Sequence, residues 1–371
     1  MKIYSFTGGR PSPEDFPVQG LIDAAERVLN RRGKDLIAYP HMNRQHDELA
    51  EIAAVRFENR EDASLNRKNI IITAGSIVAI VELARFLTQP GDTIITEELS
   101  YMGSLRRFRD IGLDIKGVPV HPIDGMDMDA LEDTLRSLAA KNITPKFIYT
   151  IPTYQNPTGS ILTLERRKRM LELAEEYGVL VMEDDCYGDV HFDPPPPPPA
   201  LYTLAQSQPV AYIGSFSKIM GPGLRLGYVC VPPGLEEFVQ KRIDMQTSGL
   251  ASLIVAEYLR ENLQSHLQRH NEVIRKKRGV LMEALGTELG DCVSWNQPRG
   301  GLFAWLKLPE SIDLPKLEQL AKQNGVEYTP GREFHYNKEE IKYLRLSYPH
   351  MPFDEIREGV AVLAKCIRQA I

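Results

Sequence analysis

Between residues 69 and 231 short apolar segments alternate with amphipathic ones, and few folds accept that order. Segments 69–73, 93–96, 115–120, 147–151, 179–183, 210–213 and 226–231 are rich in Ile, Val, Tyr and Phe, as strands covered on both faces are. Between them, 76–87, 128–140 and 164–177 repeat apolar residues at the spacing of a helix, and a further helix follows Tyr101. Short strands separated by such helices predict an α/β unit, a mostly parallel seven-stranded sheet between helical layers.

The steady alternation stops after residue 235. Helical spacing over 265–285 gives way to strand-like 302–308, a helix over 314–324, strand-like 343–347 and a last helix from Phe353. That order predicts a smaller α+β domain. Residues 1–19, with Gly8-Gly9-Arg10-Pro11 and Pro13, read as an extended arm, and helices over 21–29 and 46–57 flank an irregular loop at Tyr39. The expected division is an arm and part of the small domain at 1–45, a large domain at 46–270, and the rest of the small domain at 271–371. The six-proline run at 194–199 can enter neither a helix nor a central strand and reads as a rigid surface loop.

The chain has 44 basic and 50 acidic residues, net −6, with no long single-sign run, which argues against a nucleic-acid or membrane-surface partner. Cys186, Cys230, Cys292 and Cys366 form no CxxC pair, so reduced thiols in a cytosolic protein are expected. No charged-then-apolar leader follows Met1, and no apolar run approaches the ~20 residues of a membrane span. The expectation is a soluble, cytoplasmic protein.

Chemistry concentrates where the segment 210–213 ends. It runs into Ser215-Phe216-Ser217-Lys218 and a Gly/Pro-rich turn closing at Arg225. A lysine amine condenses with an aldehyde, while two hydroxyls and an arginine suit a doubly charged phosphate beside it. An aldehyde and a phosphate on one small molecule describe pyridoxal 5'-phosphate (PLP). A lone Ser-x-Ser-Lys is more often a polar turn, so other segments must agree.

Four do. Asn156-Pro157-Thr158-Gly159 follows 147–151, at a strand end where open α/β sheets place ligands. Glu183-Asp184-Asp185-Cys186-Tyr187 ends the next strand, where a carboxylate can keep a pyridine nitrogen protonated and a phenol can reach the ring hydroxyl. Gly75-Ser76-Ile77 opens a helix, whose free amides suit a phosphate. In Tyr343-Leu344-Arg345-Leu346-Ser347 the alternation puts Tyr, Arg and Ser on one face, and an arginine there can grip a carboxylate through two parallel hydrogen bonds. Taken singly, each has a plainer reading as a turn, an acidic cap, a helix cap or a solvated arginine. The acidic cluster has no His or Cys at metal-ligand spacing.

In this order the residues resemble the fold-type I PLP enzymes, specifically the class I and II aminotransferases, over nearly the whole chain. Matching stretches are SFTGGRPSPEDFP at 5–17, 73–76, YQNPTG at 154–159, 183–187, SFSKIMGPGLRLGY at 215–228, RGGLFAW at 299–305, TPGREF at 329–334, and 345–348. The spelling is most similar to the subgroup of 2-aminoadipate aminotransferases and the enzyme-like domains of GntR-type regulators. The resemblance implies that Lys218 carries the cofactor, Asp184 pairs with its pyridine nitrogen, Tyr187 and Asn156 hold its ring oxygen, and Tyr101 stacks on its ring. It assigns the phosphate to Ser215, Ser217, Arg225 and the amides of Gly75, Ser76 and Ile77, and the substrate α-carboxylate to Arg345. It also sends Tyr39 to the phosphate site of a partner subunit, implying a homodimer with shared active sites. The family spacing, a carboxylate three residues before the tyrosine, selects Asp184 over Asp185.

The chain departs from the family in three places. No glycine closely follows Tyr39, where Pro40-His41-Met42-Asn43-Arg44-Gln45 stands instead. Ile77 replaces a commonly polar residue, leaving only its amide to bind. Arg10 follows the Gly-Gly pair where an apolar residue is usual, so an arm folded over the site would offer it to a side-chain carboxylate, whereas a free arm would leave it pointing to water. The expected activity is amino-group transfer between an L-amino acid and a 2-oxo acid, with Lys218 moving the α-proton. A PLP lyase, decarboxylase, racemase or cyclase would use the same cofactor site and stays open. A non-catalytic PLP-sensing module has the presence of both Lys218 and Arg345 against it.

Overall fold

The structure, a computed structural model, describes residues 2–42, 44–205, 209–240 and 247–371. Its main sheet contains β1 (Ile70–Thr73), β2 (Thr93–Glu97), β3 (Asp114–Val118), β4 (Phe147–Thr150), β5 (Leu180–Asp185), β6 (Val210–Ser215) and β7 (Gly227–Cys230), in the order β1-β7-β6-β5-β4-β2-β3. β7 runs antiparallel to β1 and β6, and the remaining pairings are parallel. Every residue of β1, β2, β4, β6 and β7 is buried, which is why these segments read as continuous apolar runs.

Helices cover both faces. Ile94 and Ile95, neighbours in β2, belong to different apolar clusters because successive side chains leave a strand on opposite sides. On one side Ile80 and Leu83 of a helix at Ser76–Leu87 join the cluster of Ile94. On the other, Leu131 and Leu135 from Met128–Ala139 and Met170 and Leu173 from Leu164–Tyr177 pack with Ile95, Ile148 and Val181. Asp127 and Thr163 cap these last two helices, accepting from Ala130 N at 2.9 Å and Arg166 N at 3.3 Å.

One helix of 41 residues, Gly249–Leu289, runs past the sheet. Sequence periodicity indicated only 265–285, because Val255, Ala256, Tyr258 and Leu259 are all buried and blur the amphipathic pattern. Beyond it, β8 (Ser294–Trp295), β9 (Phe303–Lys307), β10 (Thr329–Pro330) and β11 (Tyr343–Ser347) form an antiparallel sheet in the order β8-β9-β11-β10, accompanied by helices at Leu314–Asn324 and Phe353–Ala370. The N-terminal arm joins this part: Tyr4–Ser5 pairs in parallel with Val326–Glu327, and Ser347 N donates to Phe6 O at 2.8 Å. The first helix, Val18–Arg32, extends both ways beyond the periodic stretch 21–29. Among the described residues no helix is long and apolar enough to cross a membrane.

Candidate active site

β6 ends at Ser215, and Lys218 follows on one short helical turn, Ser217–Met220, opened by Ser217 N donating to Ser215 Oγ at 3.1 Å. Between β1 and the Ser76–Leu87 helix the chain turns at Gly75, with φ +90°. That conformation favours glycine, and a Cβ there would lie 2.7 Å from Arg225 Nη2, so a side chain would displace the guanidinium. Arg225 Nη2 donates to Ala74 O at 2.9 Å. Two hydroxyls, a guanidinium and the amino end of a helix therefore surround one small space, a donor set matched to a phosphate dianion.

The two adjacent aspartates point apart, as alternation along β5 requires. Asp184 lines the cleft with Lys218, Tyr187, Tyr101, Ser76 and Ile77. Asp185 lies behind the sheet, paired with Arg60 and accepting from Tyr212 Oη at 2.7 Å. Asn156 bridges two further groups, donating through Nδ2 to Tyr187 Oη at 3.3 Å and accepting at Oδ1 from Arg345 Nη1 at 2.7 Å.

Arg345 is only 2% exposed. The strand-face pattern allowed a solvated arginine, but Phe303 and Phe334 enclose its guanidinium, with ring centroids 4.2 and 4.7 Å from Cζ. Its Nη2 donates to Gly8 O at 3.1 Å, and its buried Nε has no hydrogen-bond partner among the described residues. A buried cation with a free donor is poised for an anion. The arm's next carbonyl, Gly9 O, accepts from Lys218 Nζ at 3.0 Å.

Burial sets the protonation of these groups. It lowers the Lys218 amine below its ordinary value, aided by the charges of Arg345 and Arg225 and opposed by Cys186 and Asp184. It lowers Arg345 to about 10, so the guanidinium stays cationic at neutral pH. It raises Asp184, against which hydrogen bonds from Cys186 and Tyr149 act. The Tyr187 phenol is pushed well up and remains protonated.

Tyr39 and Arg10 are not part of this cleft. Tyr39 is 72% exposed and stacks on His41 with ring centroids 6.1 Å apart, and Arg10 is exposed on the arm. Sequence reasoning missed Tyr149, Cys186, Phe303, Phe334 and Glu97, as well as the arm carbonyls. Phe303 and Phe334 lie inside stretches the family resemblance had already matched. For Tyr149 and Glu97 no local signal existed, since each acts on a different strand or loop.

The donor set, the buried lysine amine and the enclosed acceptor at Asp184 together fit pyridoxal phosphate. The family model for aminotransferase class I and II matches residues 11–363. The 2-aminoadipate transaminase of Thermus thermophilus is 34% identical over 372 residues, spanning 99% of this chain and 90% of that protein. Aromatic-amino-acid aminotransferase 1 of Thermococcus litoralis is 31% identical over 371 residues, spanning 99% and 88%. A crystal structure of the alpha-aminoadipate aminotransferase of Thermus thermophilus, complexed with N-(5'-phosphopyridoxyl)-L-leucine, superposes with a TM-score of 0.89 at 33% identity, covering 99% of this chain and 92% of that one.

Proposed function

This chain belongs to the aminotransferase class I and II family, and from that premise we propose how its residues divide the work of a PLP-dependent aminotransferase. The enzyme moves an amino group between amino acids and 2-oxo acids. Bound pyridoxal phosphate supplies the carbonyl that accepts the amino group and the electron sink for charge developing at Cα. Ser215, Ser217, Arg225 and the amides of Gly75, Ser76 and Ile77 would hold its phosphate. Tyr101 would cover its ring, Asp184 its nitrogen, and Tyr187 with Asn156 its ring oxygen.

Arg345 grips the substrate α-carboxylate, and Lys218 Nζ takes the proton from Cα. A base must be neutral, and burial favours the neutral amine. The observation that carries this reading is the pair of adjacent arm carbonyls, Gly8 and Gly9, accepting from Arg345 and Lys218. Carboxylate grip and base thus lie against two successive carbonyls of one arm segment. Arg10 follows these glycines but is exposed outside the cleft, so it would meet a substrate's side-chain carboxylate only with the arm folded further over the site. A screen of amino donors against several 2-oxo acids tests the reading. Borohydride should fix the pyridoxyl group to one peptide, the one containing Lys218. Labelling of another lysine, or failure of every donor, would refute it.

A homodimer with shared sites is supported by one loop in which Ile37 is 92% and Met42 64% exposed beside Tyr39, a cluster of apolar surface that a second copy would cover. A cytoplasmic location is supported by four free cysteines, and independence from nucleic acid and membrane by the net charge of −6. The domain division we adopt, an arm and part of the small domain at 1–45, a large domain at 46–270 and the rest of the small domain at 271–371, puts its second boundary within the Gly249–Leu289 helix.

A further inference from the structure

We propose that Tyr149 and Cys186 are positioning residues for the cofactor's ring nitrogen, holding the two oxygens of Asp184 from opposite sides so that the carboxylate stays charged and aimed. The inference rests on the reading that Asp184 faces that nitrogen.

Tyr149 Oη donates to Asp184 Oδ2 at 2.7 Å, and Cys186 Sγ donates to Oδ1 at 2.8 Å. Each donor is itself backed by a serine. Ser104 Oγ lies 3.0 Å from Tyr149 Oη, and Ser76 Oγ lies 3.2 Å from Cys186 Sγ. The five groups form a continuous chain across the floor of the cleft. One end sits on the Met102–Ile111 helix, which Tyr101 opens, and the other on the first residue of the Ser76–Leu87 helix. The groups proposed to touch the ring face, the ring nitrogen and the phosphate are therefore mechanically joined.

Asp184 is 3% exposed, and an enclosed carboxylate without donors takes up a proton. A neutral acid could not hold a protonated pyridine. Two donors oppose that loss while leaving each oxygen a second lone pair for the ring N–H. Burial and the charge of Asp184 push both the Tyr149 phenol and the Cys186 thiol well above their ordinary values, so both remain protonated and able to donate.

The test compares two cofactors on the full chain, pyridoxal phosphate and its 1-deaza analogue, in which C–H replaces the ring nitrogen. Dissociation constants are measured by equilibrium dialysis for the wild type, Tyr149→Phe and Cys186→Ala. Wild type should favour pyridoxal phosphate. Each variant should lose about tenfold in affinity for pyridoxal phosphate, as supporting hydrogen bonds to a binding residue typically contribute. Affinity for the analogue should be unchanged. A folding defect would weaken both cofactors alike, so equal losses would overturn the inference, as would no loss at all. Equal binding of the two cofactors by wild type would overturn the pairing of Asp184 with the ring nitrogen, and the inference with it.

Discussion

Replacing Glu97 by glutamine should change how stability depends on pH. Glu97 ends β2 and is almost wholly enclosed. Its carboxylate accepts from Thr150 Oγ1 at 2.7 Å, Ile151 N at 2.9 Å, Ser100 Oγ at 2.9 Å and Gln155 Nε2 at 3.5 Å. One buried group thus ties the turn before Tyr101 to the loop that presents Asn156. Burial outweighs those donors and raises the carboxyl from 4.5 to about 7. A folded-state value above the unfolded one means that the protonated form favours folding. This contribution is complete below about pH 4.5 and is lost as pH rises through about 7. At 1.36 kcal/mol per pH unit the gap corresponds to about 3 kcal/mol.

Glu97→Gln cannot ionise. Its amide meets the donor Gln155 Nε2 unfavourably, but that cost is the same at every pH. Subtracting the wild-type melting temperature from the variant's at about pH 5 and about pH 8.5 therefore isolates the ionisation. About 2.5 kcal/mol of the contribution is still present at about pH 5, so at ~2 °C per kcal/mol the variant should gain about 5 °C on the wild type between the two conditions. Curves that stay parallel across this range would mean that the four donors hold Glu97 ionised, and the argument from burial would fail.

Asp184→Ala should slow deuterium exchange at the donor's Cα by orders of magnitude. Asp185→Ala should instead lower the melting temperature, since it strips a buried partner from Arg60, and comparable exchange defects in the two would show the register to be misread. Arg345→Lys keeps the charge but loses the planar fork held between Phe303 and Phe334. We expect kcat/KM for amino donors to fall about a hundredfold, and an unchanged value would remove Arg345 from the carboxylate site. Arg10→Ala should cut kcat/KM at least about tenfold, ~1.4 kcal/mol, for dicarboxylic donors while sparing alanine and leucine. An equal drop for both donor classes would mark Arg10 as a support of the arm, and no drop as a surface residue.

What was legible in the chain was whatever a cofactor demands at short range. Ser215, Ser217, Lys218 and Arg225 lie on one turn, and Asp184 and Tyr187 at one strand end, so residue type and spacing were enough to read them. Most of the seven strands were legible for a related reason, the edge strand β3 being only partly buried. Burial on both faces leaves an unbroken apolar run, and a helix leaves a period. The Gly249–Leu289 helix shows the limit, because burial all round erased the period over its first turns.

Order along the chain therefore determined the layered α/β architecture and which residue types were available to bind a phosphate, a ring nitrogen and a carboxylate. The tertiary structure decided their surroundings. Asp184 is held by Tyr149, 35 residues away, because β4 and β5 lie side by side. Arg345 is enclosed because β9 pairs antiparallel with β11, Phe303 opposite Ser347, and Phe334 packs on the other side of the guanidinium. The arm reaches Lys218 across 209 residues of chain. Such contacts depend on strand register and domain packing, which are collective properties of the folded core. No local spacing encodes them, although they determine the charge and aim of every group the spacing reveals.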